Sequence, residues 1–329
     1  MKVCVFGVGA VGGYLCVQLA RSPLINTLNV VARGLQLEAI QTKGLVVKDA
    51  QGAPDECSRV HQASENAHEL GQHDLVIVTL KANTIAQCAQ DINALTSPQG
   101  VIVFVNNGIP WWWDYPEKLV DHGQEGLMRS VIWQSVKPER VLGCVAMSNN
   151  EVLRPGVIQH NSMNKWYLGE PNGEMSQRLD QVVNLFASAG LGVAATPNIK
   201  LEVWRKLLLN IPNHALASLT RLPTDEIYSQ EGLIQWAIDL TADVSRVASC
   251  YGFDLGETSR EVVLNRLKPN VKGSKPSMLQ DVLKNKELEI DAVFGSVIEL
   301  AKRNNTPIAS LIHAYALLQG LNRHLTLSR

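Results

Sequence analysis

Apolar positions fall into two textures that alternate along the first part of the chain. Short, nearly continuous apolar runs, "KVCVF" at 2–6, "LNVVAR" at 28–33, "DLVIVTLKA" at 74–82 and "VIVFVNNG" at 101–108, end in polar residues, and helical spacers separate them. A parallel sheet covered on both faces requires that arrangement. The first run breaks into glycines and resumes with helical spacing through Leu19 and Ala20, which predicts strand, tight turn and helix. From about 128 to 170 the runs shorten and crowd together: "VLGCVAMS", "GVIQH" and "KWYLG", with turn residues such as Arg154-Pro155-Gly156 between them. These predict antiparallel strands that extend the first sheet. A helix over about 173–189 and a short strand in "GVAATP" follow. After Pro197 the pattern is almost wholly helical, with apolar residues at three and four spacing in 231–251 and 289–301. The expected fold is α/β: a doubly wound sheet with an antiparallel extension over 1–197, then an all-helical domain over 198–329.

Composition narrows the function. A chain of 329 residues, 46% hydrophobic and 19% charged, is long enough for two cores. A formal net charge of -1 supplies no basic field for nucleic acid or an anionic membrane surface, so the expected partner is a small molecule. The six cysteines, at 4, 16, 57, 88, 144 and 250, form neither a CxxC pair nor a cluster with histidine. Neither a metal site nor a disulfide framework is expected, and a reducing, cytoplasmic setting fits. The N-terminal stretch has one basic residue, glycines through its apolar part and no small-x-small site, so it reads as a strand and helix rather than a secretory signal. No other apolar run reaches the roughly 18 residues of a membrane helix.

"FGVGAVGG" places Gly7-x-Gly9-x-x-Gly12 directly between a predicted strand and helix, the context of a dinucleotide fingerprint. In a Rossmann-type domain the first glycine permits the tight turn, the second admits the pyrophosphate and the third lets helix and strand pack closely. Free N–H groups at the helix start receive the phosphates, so Gly7, Val8, Gly9, Ala10, Val11 and Gly12 are candidate cofactor contacts. The second strand ends in Arg33, where an NAD site usually carries a carboxylate for the ribose 2′-hydroxyl. Arginine can pair a 2′-phosphate instead, which favours NADP(H). Lys81, at the end of "VIVTLKA", is either a second cation near that phosphate or a solvated strand end.

In a helix predicted over 199–211, Lys206 and Asn210 lie one turn apart and can meet the same ligand. Asn213 continues the stripe unless Pro212 kinks the axis. The alternative is a solvated polar face. Reduction of a ketone by hydride leaves an alkoxide that needs a proton, and a lysine near its reference pKa of about 10.4 is a charged donor at neutral pH. Asn107, just past a predicted sheet strand, is a neutral group able to orient the carbonyl.

With these residues in place, the chain resembles the ketopantoate reductases (2-dehydropantoate 2-reductases). The resemblance rests on the opening glycine motif, "NNGIP" at 106–110, "RPGVIQH" at 154–160, "WRKLLLN" at 204–210, and "SMLQD" followed by "LEID" at 277–291. It implies a Rossmann domain followed by a helical domain with the active site between them. It further implies Lys206 as general acid, Glu289 as the carboxylate acting with it, and Asn210 and Ser277 as substrate contacts. Asn107 would touch substrate and nicotinamide, and Arg33 and Lys81 the adenosine phosphate of NADPH. Asn213 remains a candidate substrate contact, and the helical domain is the candidate surface for a homodimer. Independently of the family, Ser277-x-x-Gln280 reads as a capping box and Glu289 as a favourable charge in a first helical turn.

Three features depart from the family. His214 stands where an asparagine commonly lies eight residues after the lysine, and Thr224 where another follows the "LP" turn. "PWWWDY" at 110–115 sets three tryptophans after the active-site loop, either as core or as a wall for a larger apolar substrate. The leading reading is NADPH-dependent reduction of a 2-keto acid to the 2-hydroxy acid. A β-hydroxyacid dehydrogenase and a non-catalytic NADP-binding redox sensor stay open as alternatives.

Overall fold

The computed structural model of the chain describes residues 1–51, 53, 55–117, 123–267 and 272–327, with 123–128 as backbone only. Two compact units divide it: Met1–Asn106 with Pro110–Lys200, and Asn107–Ile109 with Leu201–Arg329.

The first unit is built on one mixed sheet. Its strands are β1 (Lys2–Phe6), β2 (Thr27–Val31), β3 (Leu45–Asp49), β4 (Glu56–Ser58), β5 (Gln62–Ser64), β6 (His73–Val78), β7 (Thr96–Val105), β8 (Val141–Arg154), β9 (Val157–Gly169) and β10 (Gly192–Ala195). Helices α1 (Ala10–Leu19), α2 (Gly34–Lys43), α3 (Ala82–Leu95), α4 (Gly123–Val136) and α5 (Gln177–Ser188) connect them. The spatial order is β4-β3-β9-β8-β7-β6-β1-β2-β5, with β10 beside β9. From β5 through β2, β1, β6 and β7 to β8 every pairing is parallel, the strand order of a dinucleotide-binding Rossmann sheet. β8 and β9 then pair antiparallel, and β3 returns parallel to β9.

Sequence and structure differ in detail here. Residues 123–136 are helical, so the antiparallel part begins at Val141, and "GVIQH" and "KWYLG" belong to the single strand β9. Of the four residues between those two runs only Ser162 is paired with β8, and register shifts along β8 and β9 carry the strand across the gap. The short edge strands β4 and β5 carry too few apolar residues for their periodicity to announce them, and β3, between β4 and β9, has apolar residues only at Leu45, Val46 and Val47.

Continuous apolar strands place Val3, Val5, Leu75, Ile77 and Val103 at the sheet centre, where they pack with Leu15 and Leu19 of α1. All three tryptophans at 111–113 are buried, at 6%, 2% and 4% exposure, so they are core rather than wall. Trp111 stands edge-on to Phe104 and to Trp133. Trp112 packs against Gly143 of β8, where a Cβ would come within 2.6 Å of its ring.

The second unit is helical: α6 (Ile199–Thr220), which starts in the first unit, α7 (Thr224–Ile227), α8 (Glu231–Cys250), α9 (Arg260–Leu267), α10 (Ser277–Leu283), a π-turn over Asp291–Gly295, α11 (Ser296–Arg303) and α12 (Ala309–Leu327). Helix α6 continues past Pro212 to Thr220 instead of ending near 211. Pro212 removes one donor, but Ile211, Ala215, Leu216 and Ala217 are fully buried, and that packing outweighs a single lost hydrogen bond. Leu216, Ala217, Ile227, Ala237, Val263, Leu267 and Leu279 form one buried cluster of this unit. No helix of the described residues is long and apolar enough to cross a membrane.

Trp112 fills a site shaped by a glycine, so its removal leaves a void that the sheet backbone cannot close. Trp112→Ala should lower unfolding stability by about 3–5 kcal/mol, read from the midpoint of urea denaturation at unchanged slope.

Candidate active site

In the first unit the chain leaves β1 through Gly7, whose φ of +96° lies in the left-handed region that favours glycine. The Gly7 N–H donates to Val31 O at 3.0 Å, and the Thr79 hydroxyl donates to Gly7 O. A Cβ on Gly12 would overlap that same carbonyl oxygen and the Thr79 hydroxyl, so helix and strand meet there backbone to backbone. Gly9 differs. It is exposed, it precedes α1, and a Cβ on it would meet no protein atom within 4 Å. No side chain caps α1, so the positive end of the helix has no acceptor supplied by a side chain. Internal packing therefore accounts for Gly7 and Gly12 but not for Gly9. An open backbone at an uncapped helix start fits a pyrophosphate. Val8 is buried, and Ala10 and Val11 are half-buried.

Arg33 is exposed at the start of α2 and caps nothing with its side chain. It lies within electrostatic reach of Cys88 on α3, whose thiol is pushed up by burial and by Asp91 and held back by the guanidinium. Lys81 is half-buried at the start of the same helix. Both expected phosphate cations thus sit by α3. Just beyond β7, the Asn106 side-chain amide donates to Leu80 O at 2.5 Å and ties the loop after β6 to the end of β7.

In the second unit, α6 buries Val203, Trp204, Leu207, Leu208 and Ile211 and leaves Lys206 and Asn210 half-buried on one face. Asn213 is engaged at both polar atoms: its amide donates to Leu209 O at 2.9 Å, and its carbonyl accepts the Tyr228 hydroxyl at 2.8 Å. Next to it, His214 is 4% exposed, with Nε2 3.4 Å from the Ser277 hydroxyl and Nδ1 without a hydrogen-bond partner. Its pKa falls from 6.5 to about 3, first through burial and second through the positive charge of Lys206. The fold therefore brings together Lys206, a neutral imidazole and Ser277.

Ser277 does not form the capping box that its spacing suggests. Pro276 occupies the cap position, Ser277 is the first helical residue, and the Gln280 amide donates to Lys275 O at 3.1 Å. With the helix beginning one residue early, the hydroxyl turns to His214 instead. Glu289 is half-buried ahead of the π-turn, and its carbonyl accepts the Val293 N–H at 3.2 Å. Ile290, Val293, Phe294 and Val297 are buried, as their spacing predicts. Asn107 is half-buried and, with Gly108 and Ile109, groups with the helical unit rather than with the sheet that precedes it. Among the described residues, no group of three or more His, Cys, Asp or Glu is placed to hold a metal ion.

In the sequence His214 stands out only as a departure from the family pattern. The available signal was its spacing: eight residues past Lys206, it returns to the same face of α6. Its burial fixes a sign for acid stability. The unfolded chain binds a proton at this histidine below about pH 6.5, whereas the folded chain does not do so until about pH 3. The contribution is thus fully present above the unfolded pKa and is lost as pH falls. His214→Asn should flatten the decline in stability between pH 6 and pH 4 by up to about 1.4 kcal/mol per pH unit. Urea denaturation at stepped pH would show it.

The family model described as "Ketopantoate reductase PanE/ApbA" matches residues 3–173, and "Ketopantoate reductase PanE/ApbA C terminal" matches 198–322. A 2-dehydropantoate 2-reductase from Mesorhizobium japonicum is 32% identical over 98% of each chain. A crystal structure from Ralstonia solanacearum MolK2, assigned as a ketopantoate reductase, superposes with a TM-score of 0.89 at 30% identity, covering 99% of this chain and 98% of that one. A ternary structure of D-mandelate dehydrogenase with NADH and anilino(oxo)acetate shares the fold, with a TM-score of 0.84 at 19% identity over 99% and 100% of the two chains. The chain belongs to the ketopantoate reductase family of pyridine-nucleotide-dependent oxidoreductases.

Proposed function

We propose that this chain reduces a 2-keto acid to the 2-hydroxy acid with NADPH, ketopantoate being the leading substrate, and that Lys206 is the general acid. The observation that carries the reading is the half-buried Lys206 beside a buried, neutral His214 on a helix that also presents Asn210. The nicotinamide, when bound, supplies the hydride that adds to the carbonyl carbon. As negative charge develops on the carbonyl oxygen, Lys206 Nζ donates a proton to it. The Glu289 carboxylate holds the ammonium charged and oriented. Asn107, Asn210 and Ser277 bind and orient the substrate through neutral hydrogen bonds. Asn213, engaged with Tyr228, supports the helix that carries Lys206 and Asn210.

In this reading residues 1–197 form the cofactor domain and 198–329 the substrate domain. The turn from Gly7 to Gly12 and the start of α1 hold the pyrophosphate. Arg33 and Lys81 hold the 2′-phosphate. The choice of substrate is a question of shape: D-mandelate dehydrogenase, with the same fold, is seen with the bulky anilino(oxo)acetate. Bulkier aromatic 2-keto acids therefore belong in the assay beside ketopantoate.

Two measurements test the reading. Lys206→Ala should lower kcat by roughly 10²-fold or more on the best 2-keto acid of such a panel, with NADPH affinity kept within about twofold. Unchanged turnover would remove Lys206 from the mechanism. Arg33→Ala should cut the preference for NADPH over NADH by about tenfold or more, the worth of a charge-assisted pair with phosphate. A parent enzyme that prefers NADH would end the assignment of Arg33.

A further inference from the structure

In a regular α-helix the Ser296 N–H would meet Ala292 O, but here it donates to Asp291 O, five residues back, and the turn over Asp291–Gly295 is a π-turn. The Ala292 oxygen accepts other donors instead. One is the Ile109 N–H at 3.2 Å, and the other is the hydroxyl of Ser296. Gly108 lies directly against the same peptide: its φ is +84°, and a Cβ would overlap the Ala292 carbonyl and come within 3.1 Å of Val293 N. Glu289 belongs to this segment through the bond from Val293 N–H to its carbonyl. Ser296 is 1% exposed and Phe294 fully buried, so the π-turn is fixed from below by the core of its own unit.

We infer that the π-turn is a clamp that sets Asn107 relative to Glu289, with Gly108 and Ser296 as positioning residues for the reaction. The inference rests on the roles proposed above for Asn107 and Glu289. Asn107 and Gly108 are adjacent, and Glu289 lies three residues before Ala292, so one peptide contact fixes both side chains at their roots. π-turns recur at functional sites because the widened turn turns a carbonyl away from the helix ladder. Here that carbonyl captures the loop next to a substrate-orienting amide. A displacement of about 1 Å at such a group can cost on the order of 10²-fold in rate. Glycine is required at 108 for two independent reasons, the left-handed backbone and the absence of room for a Cβ.

The test uses the full chain with ketopantoate or the best keto acid of the panel. Gly108→Ala should lower kcat about tenfold or more and Ser296→Ala about threefold, each with the KM for NADPH within about twofold. In the Asn107→Ala background, adding Gly108→Ala should cost less than about twofold more, because both act through the same amide. Losses that multiply would overturn the clamp. Hydrogen exchange at the Ile109 amide gives a readout that needs no turnover. The clamp predicts slow exchange in the parent and faster exchange in Gly108→Ala, and in Ser296→Ala should the first variant fail to fold. Equal exchange in parent and variant would overturn it. A parent that turns over no keto acid would sink the proposed reaction, and the exchange comparison would then decide the clamp alone.

Discussion

A half-buried ammonium on a helix that is otherwise mostly buried and apolar is the constraint around which the helical unit is arranged. Half-burying Lys206 on this helix would be unfavourable if its neighbours were also cationic or offered nothing polar. The unit answers with neutral groups: the Asn210 amide one turn on, the His214 imidazole two turns on, and the Ser277 hydroxyl that meets the imidazole. Burial strips the proton from His214, and the Lys206 charge pushes in the same direction. The positive charge on this face is thereby assigned to Lys206 and not to the histidine. A protonated imidazole at 214 would instead compete with the ammonium for any carboxylate or developing alkoxide brought to this face.

The sheet imposes a complementary order on the first unit. Because β1, β2 and β6 are parallel neighbours, their carboxyl ends lie along one edge, and the segments leaving them carry the glycine turn, Arg33 and Lys81 respectively. The three features are separated in sequence but share that edge for a topological reason. At the glycine turn the protein contributes backbone, and at the two cations it contributes side chains. In the reading proposed above, the backbone holds the diphosphate common to all dinucleotides and the two cations hold the further phosphate that distinguishes one of them.

Much of this was legible in the sequence. Continuous apolar runs gave the parallel strands, glycines at fixed spacing gave the turn, and the Lys206-Asn210 interval gave a shared helix face. What was not legible depended on contacts distant in sequence. The capping reading of Ser277 failed because Pro276 takes the cap, and only the fold shows His214 waiting for the hydroxyl. Helix α6 passes Pro212 because burial on both sides outweighs one lost donor. Asn213 shares the stripe of Lys206, yet both its polar atoms serve Leu209 and Tyr228. Asn107 follows a sheet strand in sequence but groups with the helical unit, since its anchor is a carbonyl 185 residues away, at Ala292.

The two polar departures from the family pattern are not equivalent, and the structure separates them. Thr224 is buried, and both its N–H and its hydroxyl donate to Ser274 O, at 3.0 and 3.2 Å, so the side chain holds the loop before α10. Nothing remains on that hydroxyl hydrogen for a ligand. His214 keeps Nδ1 without a partner while its other nitrogen meets Ser277. An unpaired polar atom in a buried position is costly, on the order of 1–3 kcal/mol, unless a group outside the fold satisfies it. Of the two positions, 214 is the one that keeps a buried polar atom without a hydrogen-bond partner. An imidazole also differs in volume and reach from the asparagine common in the family. Of the three departures, His214 is thus the one that sets an unpartnered polar atom next to Ser277 and within electrostatic reach of Lys206, whereas the tryptophans at 111–113 are buried in the first unit.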